Sequence, residues 1–280
     1  MTPPPARPEG SALSSDVDGS GVFDVREFAR TARGSHRGDP AVVALDGAAL
    51  PADAITLIRV LRDLERTTLD RMRNLLVTAT HKDARVTAFL TTWAFEKFWI
   101  ADALDAALET VGAEARSDTG STRPRRRFAE RAERRGPVAR AIAANFQGPQ
   151  IVAAHVTTGL VDEWIAQAAY RRLAALAAPL GPLSRLVLEI KDRHIHFLSE
   201  EAHRRLADSD RARRVTQKLV RQSAWPLGAV TQPASDRAFF ERTVFGDETG
   251  RREAAAITAS LAELPGMTAV APTVAARLVA

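Results

Sequence analysis

Lys191 and His194 stand three residues apart in the stretch LVLEIKDRHIHFLSEEAHRRL, Leu186 to Leu206. At that spacing a cation and an imidazole point the same way from neighbouring helical turns. The apolar residues Leu183, Val187, Ile190, Phe197 and Leu198 recur at helical period, and the pair lies on or beside the face they define. Polar groups turned into an apolar interior are costly unless partnered. Glu65, Glu96 and Glu163 offer partners from three other amphipathic segments. The chemistry open to Lys191, His194, Glu96 and Glu163 is charge pairing, proton transfer, or reaction at a lysine of lowered pKa.

Helices must position these groups. The first is expected from Asp53, as N-cap, to about Ala79, with Ile58, Leu61, Glu65, Met72, Leu75 and Leu76 inward. The turn THKDAR follows, with Asp83 or Thr80 as the next cap and His81 on the surface. The second helix, Ala84 to about Val111, carries Phe89, Trp93, Glu96, Trp99, Ile100 and Leu104 at helical spacing. Phe95 and Phe98 lie alongside, so deep packing is expected throughout this aromatic segment. The third, Gln150 to Ala177, carries Val156, Leu160, Glu163, Gln167 and Tyr170, and Gly159 permits close helix approach. PLGPLS breaks the chain before the fourth helix.

Residues 208–223 read as a basic helix and WPLGAVTQP as a loop. Two short helices around Gly246–Gly250 and a tail complete the chain. The Arg-rich interruption at 113–149, with its run from Arg123 to Arg135, reads as a solvated crossover. The fold class is therefore all-α. The expected divisions are a flexible N-terminal arm at 1–52, a helical bundle at 53–207 and a helical extension at 208–280.

The segments FLTTWAFEKFWIADAL, GLVDEWIAQAAYRRLA and IKDRHIHFL resemble the ferritin-like superfamily, in particular its acyl-carrier-protein-desaturase-like and related bacterial branches. Two helices, a long crossover and two more helices are that superfamily's order. The resemblance implies a four-helix bundle holding two iron, or manganese and iron, ions on a lone Glu from each of two helices and a Glu-x-x-His from each of the others. Carried onto this sequence, Glu65 and Glu163 are the lone carboxylates and Glu96 opens the first motif. His194 closes the second, so the implied metal ligands are Glu65, Glu96, Glu163 and His194. Trp99 stands where the first His belongs, and Lys191 where the second Glu belongs. An indole offers a metal no lone pair, and an ammonium repels it.

Three readings follow. The polar cluster can be structural, making the chain a metal-independent scaffold. It can be a metal-independent active site, with Trp93, Trp99, Phe98, Trp164 and Tyr170 around a pocket for a small apolar molecule. Or helix 4 can turn Glu189, Asp192 and His196 inward to join Glu96 and Glu163 as di-iron ligands, against its apolar pattern.

The 280 residues are 45% hydrophobic, with net charge +5 and no cysteine. Disulfides and thiolate chemistry are excluded, which fits a cytoplasmic setting. Arginine is dispersed, so nucleic acid is not an expected partner. No apolar run is long enough for a membrane span. Ile142, Phe146 and Phe239 are candidate faces for a homodimer. Near the N-terminus, Asp16, Asp18, Ser20, Asp24 and Glu27 fall on the oxygen-ligand positions of a calcium loop, with Gly21 at its sharp turn. No helical pattern enters that loop, so the alternative is an acidic turn in which Asp24 caps a short helix, Val25–Thr31.

Overall fold

The computed structural model describes residues 22–113 and 148–279, and they form an all-helical assembly. The Arg123–Arg135 run, Ile142 and Phe146 lie outside the described residues, as do Asp16, Asp18 and Ser20. Helix α1 is Val25–Arg30, capped by Asp24, whose Oδ1 accepts from the amides of Arg26 and Glu27. A short helix α2, Pro40–Val43, forms in the stretch expected to be irregular, because Asp39 caps it and Pro40 opens it.

The first long helix is two helices. α3 is Ala52–Arg66 and α4 is Thr68–Leu76. At the break, the Thr67 amide and hydroxyl both donate to the Leu64 carbonyl, at 3.2 and 2.7 Å. That tightened turn ends the regular ladder. The expected Asp53 cap is also replaced. Pro51 holds the cap position without a side-chain bond, and Asp53 falls in the first turn, where a carboxylate suits the helix dipole.

α5 is Ala84–Thr110, capped by Asp83 through the Val86 amide at 3.0 Å. α6 is Ile151–Leu176, and α7, Gly181–Asp208, follows a single 3₁₀ turn. α7 starts earlier than its pattern suggested, because Pro182 is tolerated in a first turn. Beyond it run α8 (Asp210–Gln222), α9 (Ala234–Phe245), α10 (Glu248–Glu263) and α11 (Ala271–Leu278). The last of these was expected to be a tail. It is a helix that buries Val274 and Leu278.

The largest interfaces join α6 to α7 and α3 to α5, two helix pairs that face one another across the polar centre. α8 packs against both α6 and α7. Residues 22–37, expected to be a flexible arm, instead pack against α5 and α7. Phe23 and Phe28 are fully buried. Phe28 stacks on Phe89 with ring centroids 5.3 Å apart, and Phe89 stacks on Phe197 at 3.9 Å. Burying each Phe is worth roughly 1.5–3 kcal/mol, enough to hold a short helix that propensity alone would not.

The aromatic segment of α5 is not buried throughout. Phe95 and Phe98 are nearly half exposed, and Trp99 packs edge-on against both rings. A helix buries one face, and Trp93, Glu96, Lys97, Ile100 and Leu104 occupy it. Phe239 is half-buried against the core. Among the described residues, no helix is long and apolar enough to cross a membrane.

Candidate functional site

Four helices bring charged side chains to one buried centre. α3 supplies Glu65, α5 supplies Glu96 and Lys97, α6 supplies Glu163, and α7 supplies Lys191, Arg193 and His194. None of these residues is more than 7% exposed. The Lys191 ammonium sits between two carboxylates, 2.8 Å from Glu65 Oε1 and 3.0 Å from Glu163 Oε2. Lys97 bridges the other two oxygens of the same pair, 3.0 Å from Glu65 Oε2 and 3.2 Å from Glu163 Oε1. Two carboxylates and two ammonium groups thus form a closed ring of alternating charge.

Aromatic side chains complete the ring. Trp93 Nε1 donates to Glu163 Oε1 at 2.7 Å, and Tyr170 donates its hydroxyl to Glu65 Oε1 at 3.2 Å. Lys97 lies 5.0 Å from the Trp93 ring centroid and Lys191 5.4 Å from that of Tyr170, distances at which a cation is attracted to the ring face. Removing the Trp93 donor leaves Glu163 one hydrogen bond short. Trp93→Phe is therefore expected to cost about 1.5–3 kcal/mol, the usual loss for a hydrogen bond to a charged group. Urea unfolding measures it, and an unchanged midpoint would show that the indole carries none of the load.

Glu96 anchors a second cluster. Its Oε2 accepts from His194 Nε2 at 2.8 Å, and its Oε1 from the Arg33 amide at 3.0 Å and the Arg193 guanidinium at 3.3 Å. Arg193 also reaches the Thr31 hydroxyl at 2.7 Å and lies 4.8 Å from the Phe28 ring. The N-terminal strand of chain is thus tied to the centre by polar bonds as well as by its phenylalanines. His194 Nδ1 has no hydrogen-bond partner, and Glu163 Oε1 is 3.8 Å away, close enough to act through charge but not through a bond.

The electrostatics follow from this geometry. Burial would raise the Glu163 carboxyl, but Lys191, Lys97 and then His194 outweigh it and hold the group well below its ordinary value. Glu65 is lowered despite burial by Lys191 and Lys97. Glu96 is lowered despite burial, chiefly by the His194 hydrogen bond. Burial alone would lower His194, yet Glu163 and Glu96 raise it. Burial also opposes charge on Lys97, and the Glu163 and Glu65 carboxylates raise it well above the ordinary lysine value. Glu65, Glu96 and Glu163 are thus favoured as carboxylates and Lys97 as an ammonium.

Of the site residues expected from sequence, Glu65, Glu96, Glu163, Lys191 and His194 converge, with Trp93 and Tyr170 against them. Trp99 does not join them. Its ring packs on Phe95 and Phe98 at the surface side of α5. Trp164 is half-buried at the edge of the core. Glu189 and Asp192 face outward, Glu189 beside Arg33 and Asp192 bonded to Gln167. His196 is half-buried against the Phe23 ring. Helix α7 therefore presents its apolar face inward, and the alternative ligand set is not assembled. Of the calcium candidates within the described residues, Asp24 caps α1 and Glu27 pairs with Arg30.

Sequence reasoning missed Lys97 and Arg193. Lys97 follows Trp93 by four residues and precedes Leu104 by seven, so it lies on the same helical line. Arg193 is reached by the N-terminal segment, a contact no periodicity encodes.

The donor set does not fit two metal ions at Glu65 and Glu163, because two ammonium groups lie within 3.2 Å of their oxygens. Among the described residues, no group of three or more His, Asp or Glu side chains is arranged to hold a metal ion. Compared with family models, curated proteins and solved structures, the chain matches none.

Proposed function

We propose that this chain is a divergent ferritin-like bundle, related to di-iron oxidoreductases, in which a Lys/Glu/His ion cluster stands where the relatives hold two metals. It works as a metal-independent protein, a scaffold or a binder of a small apolar molecule, not as an oxygen-activating enzyme. The observation that carries this reading is the Lys191 ammonium, 2.8 Å from Glu65 and 3.0 Å from Glu163. A divalent ion between those carboxylates would have to displace it. The pairing of α3 with α5 and α6 with α7, and the long chain between Thr110 and Ile151, support the ferritin-like arrangement. A Schiff-base lysine is the weaker reading, since nucleophilic attack needs a free amine lone pair and Lys191 Nζ is engaged by two carboxylates, 2.8 Å from Glu65 and 3.0 Å from Glu163.

Metal loading tests this. After anaerobic incubation with iron(II) and manganese(II) and desalting, elemental mass spectrometry is expected to find neither metal in stoichiometric amount. The variant K97M/K191E removes both cations and restores a Glu-x-x-His at positions 191–194. It is expected to retain metal where the parent does not. A pair of ions held by the parent protein would overturn the proposal and return the chain to di-metal chemistry.

A further inference from the structure

Helix α5 carries a second seam, on the side turned away from the ion cluster. Ala84, Ala88, Thr91, Phe95, Phe98 and Asp102 follow one another by steps of four and three residues, and Glu109 continues the period. That 3.5-residue spacing is the one by which a helix packs along another helix. All but Asp102 are exposed, Phe95 by 46% and Phe98 by 47%. From Ala84 to Phe98 the seam bears no charge. A helix that is apolar on every side belongs in an interior. α6 is such a helix, and α7, α8 and α10 pack around it. On α5, helices α1, α3 and α4 pack elsewhere and leave this seam open.

We propose that this seam is the interface of a homodimer, in which two copies of α5 pack antiparallel about a two-fold axis between Phe95 and Phe98. In that orientation the seam is complementary to itself, as a two-fold interface requires. Phe95 falls opposite the partner's Phe98, Thr91 opposite the partner's Asp102, and Ala84 opposite the partner's Glu109, because each pair is equally spaced about the axis. The rings meet at the centre, and the small residues let the helices stay close beyond them. The charges agree. Lys82 is exposed, makes no ion pair among the described residues, and stands just before Ala84 at the positive end of the helix. At the other end Arg37 is shared between Asp102 and Glu109, so one guanidinium meets two carboxylates. Antiparallel pairing brings that acidic end to Lys82 of the partner subunit. Parallel pairing would set acid against acid. The acidic flank also disfavours a lipid surface, whose headgroups attract basic residues. The proposal does not depend on what the ion cluster does.

Sedimentation equilibrium of the full chain is expected to give twice the chain mass at about 100 µM, above the Kd of a modest interface. F95D/F98D should raise that Kd about 100-fold, because the two-fold axis removes each ring twice. Both side chains are nearly half exposed, so circular dichroism should show an unchanged fold. Lys82→Glu or Glu109→Lys should each raise the Kd about threefold, and K82E/E109K should recover it, an exposed ion pair being worth little. The chain has no cysteine, so engineered pairs report the register without interference. On oxidation T91C/D102C is expected to give a disulfide-linked dimer, and T91C alone is not. A monomeric parent would overturn the proposal. If F95D/F98D then lowers stability, the seam is covered by its own chain, and if the parent co-floats with phosphatidylcholine vesicles, it is covered by lipid. A dimer that F95D/F98D leaves intact uses another face and also overturns it. Linkage of T91C alone as readily as of T91C/D102C would overturn the antiparallel pairing.

Discussion

Glu163→Ala is expected to lower the free energy of unfolding by about 3–5 kcal/mol, the cost of leaving buried opposite charge without its partner. Glu163 is fully buried and meets Lys97, Lys191 and Trp93 directly. Its loss leaves two ammonium groups sharing Glu65 alone. Lys191→Met is expected to be costly for the mirror-image reason, since Lys97 then faces both carboxylates. Removing one charge of each sign is different. E163M/K191M leaves the single pair Glu65–Lys97 and fills the vacated space with apolar side chains. It is expected to be more stable than either single variant, with a coupling of about 1–3 kcal/mol. Urea denaturation of the parent, E163M, K191M and E163M/K191M closes the cycle. Additive single-site effects would show that the ring is not one electrostatic unit.

Stability is expected to peak near the ordinary imidazole value of about 6.5. Below it burial keeps His155 neutral, its pKa lowered to about 4, while the unfolded chain takes up a proton. Above it the His194 contribution fades. The signs differ on the two flanks. Glu65, Glu96 and Glu163 are all lowered in the folded chain. Their contribution is present above the unfolded carboxylate value and is lost as pH falls through the folded ones. Protonating them would also leave Lys97, Lys191 and Arg193 buried without counter-charge, so acid unfolding should be cooperative. Asp162 works weakly against this trend, because burial raises its carboxyl.

His194 is raised by its carboxylate neighbours. Its contribution is complete below the unfolded imidazole value and is lost as pH rises through the folded one. Chemical denaturation from pH 3 to 9, with His194→Gln alongside, separates the flanks. The variant should keep the acid limb and flatten the alkaline one. Identical alkaline slopes for both proteins would remove His194⁺ from the account.

Much of this protein can be read from residue order alone. Period-3.6 apolar positions locate α5, α6 and α7 to within a few residues, because a long helix that buries one face must repeat that pattern. Asp24 and Asp83 announce the helices they cap, since capping is a local bond. The isolated polar residues Glu65, Glu96, Glu163, Lys191 and His194 were visible as costly intrusions on apolar faces, and they do converge.

What local pattern could not reach was decided by contact between distant segments. Thr67 breaks a helix that periodicity would continue, where loop residue Gly228 packs against its side chain. Phe23 and Phe28 gain their burial from Phe89 and Phe197, so an arm with little intrinsic order becomes part of the core. Phe95 and Phe98 share their sequence neighbourhood with Trp93 but face away from it. Lys97 shows the limit most plainly. A lysine has the form of a solvated side chain, and only the approach of α3 and α6 gives its charge two buried carboxylates to balance. Charge type and helical period are properties of the chain. Which charges neutralise one another is a property of the packed bundle, because that energy depends on distance and on the exclusion of water.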